Sequence, residues 1–165
     1  RYSSNDSLVL QLLLSLLVGD VQSLLFKKIR EELGLVYGIN YDLLNFMDCL
    51  GLILALNEDK VELAKVETMK IIQMLQAGEL SDELFNNTKL LLRNEILNTT
   101  DSLFGLMSYY MNQQLRNLIT DKTLLLDSLQ AITKEQVIQV AREMSYRGFY
   151  HLIESRKNEE KQGNE

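Results

Sequence analysis

At 165 residues, with 46% hydrophobic and 24% charged content, the chain has room for one domain around one core. Its formal net charge is −6, and Lys27, Lys28 and Arg30 run straight into Glu31 and Glu32; no basic stripe is left to displace counterions, which excludes ordinary nucleic-acid binding. One histidine and one cysteine exclude a zinc site built from several such ligands and an intramolecular disulfide.

Proline is absent, which suits long, uninterrupted helices. The apolar block Leu8–Val18, broken by Gln11 and Ser15, is too short to cross a bilayer and reads as a buried helix. Asp20 is placed to cap a second helix, in which Val21, Leu24, Leu25 and Ile29 recur at helical spacing. Gly34 can end that helix in the left-handed conformation. The period then changes. Leu35, Tyr37, Ile39, Tyr41 and Leu43 alternate with Val36, Gly38, Asn40 and Asp42, which predicts a strand. Past a turn at Asn45–Asp48, the nearly continuous apolar run Cys49–Leu56 suits a second strand covered on both faces, and the pair reads as a hairpin. Cys49 is expected to be a small packed side chain, and a lone cysteine favours a reducing compartment.

Helices return from about Glu58, where Val61, Ala64, Ile71, Ile72 and Leu75 share a face that Ala77-Gly78 closes. Ser81 caps the next, whose stripe is Leu84, Phe85, Thr88, Leu91, Leu92 and Ile96. Asp101 starts another, running to about Ile119, and a shorter one follows Asp121. Thr133-Lys134-Glu135-Gln136 matches a capping box ahead of Val137, Val140, Ala141 and Met144. Gly148–Ile153 reads as a last strand, and Arg156–Glu165 as a disordered charged tail, so that one domain is expected over residues 1–155. Strands and helices are segregated. The expected class is α+β, a largely antiparallel mixed sheet with helices packed on one face. Three strands make a thin sheet for so many helices, and a first strand ahead of Arg1 is expected to be missing.

Catalytic groups are scarce. His151 lies between Tyr150 and Leu152 and reads as a packed or edge side chain, with no second ligand at a useful spacing. Gly34-x-x-x-Gly38 lacks the Lys-Ser/Thr that would make it a phosphate loop. What stands out is the passage from helix to strand, where Arg30 sits one turn after Phe26 on the shoulder of the apolar face and Tyr37 is the third residue after Gly34. A guanidinium and a phenol on rigid elements are a donor pair suited to peptide carbonyls. Spacing alone leaves a second reading open, in which Arg30 pairs with Glu31, Glu32 or another acid and Tyr37 is an ordinary sheet residue in phase with Ile39 and Tyr41.

The stretch Leu25-Phe26-Lys27-Lys28-Ile29-Arg30-Glu31-Glu32-Leu33-Gly34-Leu35-Val36-Tyr37 resembles the L-F-x-x-I-R-E-x-x-G-L-x-Y passage of insulinase-type (pitrilysin) zinc peptidases, a family that includes the processing peptidases. Supporting matches lie at Asp48…Gly51, Leu80–Leu84 and Ile132–Val137, so the likeness runs from Leu8 to Ile153 in the family's order. It implies the metallohydrolase fold shared by LuxS and the processing peptidases, in which homologous domains close over a peptide chamber. In such enzymes zinc is held in one domain by H-x-x-E-H, and an Arg and a Tyr seven residues apart in another domain reach the substrate. Arg30 and Tyr37 match those two positions. H-x-x-E-H needs two histidines and cannot occur here. Gly19-Asp20-Val21-Gln22-Ser23 also departs from the more glycine-rich stretch of many relatives.

The resemblance therefore implies a non-zinc, substrate-chamber domain of a zinc endopeptidase. Arg30 and Tyr37 would bind and orient peptide substrate, no cofactor would sit in this chain, and zinc would come from a partner domain or subunit. Two alternatives stand beside it: a degenerate, inactive structural partner of a zinc peptidase homologue, and a stand-alone protein-interaction domain. A cytoplasmic location, with neither a nucleic-acid nor a membrane partner, is expected; no basic leader with a cleavage site is legible.

Overall fold

The computed structural model describes residues 4–44, 49–98, 103, 105–107, 110–111 and 121–152. The expected turn at 45–48, the side chain of Cys49, much of the expected helix 101–119, and the tail lie outside the described residues. Helix α1 (Ser4–Leu14) continues as a wider π-type turn at Ser15–Gly19, and a second π-type segment spans Phe26–Glu32. The hairpin β1 (Val36–Leu44) and β2 (Cys49–Leu56) follows, then α2 (Val61–Ala77), α3 (Asp82–Asn98), α4 (Lys122–Ala131) and α5 (Lys134–Glu143). Between α3 and α4, the described residues from 103 to 111 are also helical.

The core is built where the apolar blocks meet. Leu12, Leu13, Leu16, Leu17, Leu25 and Ile29 are fully buried, joined by Leu75 of α2, Leu92 of α3, Leu129 of α4 and Val137 of α5. Burying each such side chain contributes about 1.5–3 kcal/mol of transfer free energy. Most of the stripes are as the sequence predicts. Two members fall outside: Val21 is 59% exposed in the turn after Asp20, and Leu91 faces solvent on α3.

Most of the start and stop signals are met atom by atom. The Ser81 hydroxyl accepts from the Leu84 N–H at 3.1 Å, but the Asp20 carboxylate accepts from the Gln22 N–H at 2.9 Å within a turn, and the helix starts only at Leu24, so the expected cap at Asp20 is corrected. Gly78 ends α2 at φ +93°. Thr133 and Gln136 exchange both bonds of the capping box, at 3.3 and 2.8 Å. Lysines tie the helices at their negative ends. Lys89 of α3 donates to the carbonyls of Gln130 and Ile132 past α4, both at 2.7 Å, and Lys122 of α4 donates to Leu97 at the end of α3 at 2.6 Å. Burial pushes the Lys89 ammonium below its ordinary value.

β1 and β2 pair antiparallel, with Ile39 opposite Leu54 and Tyr41 opposite Leu52. Leu52, Leu54, Leu56 and Ile39 pack on the core, whereas Ile53 is 55% exposed. The expectation that β2 is covered on both faces is therefore corrected. Helices stand on one side of the hairpin, and among the described residues nothing covers Ile53 and Ala55 on the other.

The expected last strand is corrected too, because 148–152 joins no ladder among the described residues. Gln76 of α2 donates to the carbonyls of Ala141 and Met144, both at 3.0 Å, while Lys65 of α2 stands 5.2 Å from the Phe149 ring centroid. The segment after α5 thus contacts α2 at two places along its length. A strand pattern needs a neighbouring edge to become a strand, and this segment lies along a helix instead.

Candidate functional site

Arg30 is carried by the segment Phe26–Glu32, in which Leu33 N–H bonds back five residues to the Lys28 carbonyl at 3.1 Å. The sequence predicts an ordinary α-helix here; the wider turn is a finding. Turns of this kind recur at functional sites. Leu25 and Ile29 stay fully buried beneath it, and Arg30 emerges exposed with its guanidinium carbon 4.6 Å from the Phe26 ring centroid. The ring holds the planar cation by cation–π attraction.

The segment ends at a glycine joint. Gly34 adopts φ +55°, and Leu35 N–H reaches back to the Ile29 carbonyl at 2.8 Å. A Cβ on Gly34 would meet no atom within 4 Å, so the constraint is purely conformational. Gly34→Ala is accordingly expected to lower stability by about 1 kcal/mol, measured as a shift in the urea midpoint. Across the joint, Lys60 donates to the Gly34 carbonyl at 2.8 Å, fastening the turn after β2 to the passage before β1.

Tyr37 then departs from the simple alternation. Val36 pairs with Leu56 and Gly38 with Ala55, which leaves Tyr37 as the extra residue of a β-bulge. Without the bulge, Tyr37 would share the face of Ile39 and point at the core. With it, Val36 is buried at 6% exposure and Tyr37 is 66% exposed. Bulges re-aim side chains and gather beside sites. The signal was present in the sequence: Val36 and Ile39 are both apolar yet three residues apart, which no regular strand can bury together.

Arg30 and Tyr37 thus flank one rigid joint. Among the described residues, neither side chain makes a hydrogen bond or an ion pair, and none joins the two directly. The acid one turn beyond Lys28 is taken: Glu32 pairs with Lys28 at 2.9 Å, and that hydrogen bond and charge hold Glu32 below and Lys28 above their ordinary values. A guanidinium and a phenol whose donors are unclaimed among the described residues can donate to a carbonyl or carboxylate oxygen from outside.

Zinc does not fit this donor set. His151 is exposed with its ring 6.4 Å from that of Phe149, and no group of three His, Cys, Asp or Glu side chains converges among the described residues. A groove of about 240 Å³ between α3 and α4 is lined by Asn86, Lys89, Arg93 and Leu126, but the Lys89 ammonium already serves two carbonyls. No helix among the described residues is long and apolar enough to cross a membrane.

Residues 1–92 match the model of the peptidase M16 inactive domain. The chain is 24% identical over 151 residues to the "probable inactive metalloprotease YmfF" of Bacillus subtilis (strain 168), covering 92% of this chain and 35% of that protein. It is 29% identical over 147 residues to the "antilisterial bacteriocin subtilosin biosynthesis protein AlbE" of the same organism, covering 88% and 36%. Among solved structures it is similar to a conserved protein from Enterococcus faecalis V583, with a TM-score of 0.74 at 18% identity over 85% of this chain and 33% of the other. A protease from Helicobacter pylori gives a TM-score of 0.74 at 15% identity over 84% and 34%. The structural likenesses carry the α+β fold, and the chain spans about a third of the length of the relatives it matches.

Proposed function

We propose a role that starts from one fact: this chain belongs to the M16 peptidase family, as its inactive domain. It is a degenerate peptidase-like domain, and in our reading its remaining task is to hold peptide. Arg30 and Tyr37 are the residues assigned to that task. Arg30 donates to a peptide carbonyl or carboxylate oxygen with a fixed charge, and Tyr37 adds a neutral O–H donor from the bulge. Zinc and the general-base carboxylate of a working enzyme belong, in this reading, to another domain or subunit.

The observation that supports it is the bulge. It removes Tyr37 from the core face and leaves a phenol 66% exposed on a strand, seven residues after an arginine with no ion pair among the described residues. A purely structural tyrosine gains nothing from that exposure. The test is binding of fluorescein-labelled tryptic casein peptides to the full polypeptide carrying this chain, by anisotropy, with Arg30→Ala and Tyr37→Phe beside the parent. Unchanged affinity in both variants would remove the reading.

A second reading has its own support. The name of the YmfF relative describes an inactive metalloprotease, which favours a partner subunit that only assembles with an active homologue. Coexpression with a zinc-bearing homologue separates the two. Assembly that proceeds equally with and without the Arg30 and Tyr37 side chains, with no change in turnover, belongs to the structural partner.

A further inference from the structure

We infer that Lys60 is a positioning residue for the Arg30–Tyr37 pair, a role that rests on the peptide-holding reading above. Lys60 touches neither side chain of the pair. It closes the 3-10 turn Glu58–Lys60 that leads from β2 into α2, where its own N–H bonds to the Asn57 carbonyl at 3.0 Å. From there its ammonium crosses to the Gly34 carbonyl, 26 residues earlier in the chain, at 2.8 Å.

That carbonyl is the midpoint of the site. Four residues before it stands Arg30, and three residues after it stands Tyr37. Gly34 is left-handed at φ +55°, a backbone conformation that glycine reaches at no steric cost. The Gly34 oxygen and the Leu35 N–H belong to one peptide unit, and that N–H is tied to the Ile29 carbonyl. On the far side, the ladder is irregular between Val36 and Gly38, so the hairpin does not by itself fix the plane that sets the bulge. A charge-assisted bond to the Gly34 oxygen holds that same peptide unit from its other end and links the Arg30 segment and the passage into β1 to the start of α2. Phe26 completes the geometry from below by stacking on Arg30.

Lys60 can be exchanged without opening the core, since the bond lies at the surface. The experiment uses the full polypeptide with Lys60→Met, which keeps the aliphatic stem, and Lys60→Arg, which restores a cationic donor. Two readouts are taken: the ring resonances of ¹³C-labelled tyrosine, with Tyr37 assigned through Tyr37→Phe, and anisotropy with fluorescein-labelled tryptic casein peptides. Lys60→Met is expected to move or broaden the Tyr37 resonance and to weaken peptide binding roughly three- to tenfold, the range of one lost hydrogen bond, with Lys60→Arg recovering both. A Tyr37 resonance that stays in place in Lys60→Met overturns the positioning role, whatever happens to binding. A resonance that moves while Arg30→Ala and Tyr37→Phe bind peptide normally overturns the peptide-holding reading itself, and the role of Lys60 with it.

Discussion

Replacing Arg30 with alanine is expected to weaken peptide binding by roughly ten- to hundredfold, the range for a charged donor lost from a peptide oxygen. Tyr37→Phe, which deletes one neutral donor, is expected to cost roughly three- to tenfold. Anisotropy with the labelled casein peptides reads both. The difference in size follows from charge: the guanidinium keeps its proton at every accessible pH and offers a planar fork, whereas the phenol contributes a single O–H. Neither loss should be a folding defect. Arg30 is exposed, and among the described residues its one partner is the Phe26 ring, so Arg30→Ala should change stability by less than about 1 kcal/mol. Tyr37 is mostly in solvent already, and removing its hydroxyl should be near neutral. Weaker binding accompanied by a large loss of stability would show instead that the joint, rather than its side chains, had been damaged.

Ile29→Ala, one residue away, is expected to do the opposite. Ile29 is fully buried beneath the π-type segment, and its carbonyl accepts the Leu35 N–H that turns the chain into β1. Truncating it opens a cavity in the main cluster and should cost about 2–5 kcal/mol, measured by urea unfolding. Such a loss is a large share of a domain's total stability. The Ile29 carbonyl that holds the Leu35 N–H is backbone and survives the substitution, so peptide binding should fall only as the folded fraction falls. A change in urea midpoint below about 0.5 kcal/mol would mean that the core placement of Ile29 is wrong. The pair Arg30→Ala and Ile29→Ala thus separates neighbours whose side chains leave the same turn in opposite directions.

Much of the architecture could be read from periodicity. Helical stripes such as Val61, Ala64, Ile71 and Leu75 can bury a continuous face only as a helix, and they do. Local punctuation was equally legible. Asp20, Gly34, Gly78, Ser81 and the Thr133–Gln136 box each satisfy or terminate backbone hydrogen bonds with their own neighbours, so the information lies within a few residues. The family passage around Arg30 and Tyr37 was likewise a string in the sequence, and membership of the M16 family agrees with it.

Misreadings arose where a residue's state depends on something distant. Val21 fits a helical stripe by spacing, yet the chain there turns before the helix begins, so the side chain faces solvent. The run Cys49–Leu56 is apolar enough for a doubly covered strand, but coverage depends on where the helices stand, and Ile53 is left open. Residues 148–152 carry a strand pattern but join no ladder among the described residues, and Phe149 meets Lys65 of α2 instead, since pairing requires an edge that the pattern cannot provide for itself.

The sequence by itself determined most of the helices and their caps and the segregation of helix from strand. These follow from composition, from period and from contacts a few residues long. Only the tertiary structure decided which way Tyr37 faces and that Lys60 reaches 26 residues back to the Gly34 carbonyl. Those are settled by register and by the meeting of elements far apart in the chain, where one inserted residue in a ladder exchanges core for solvent.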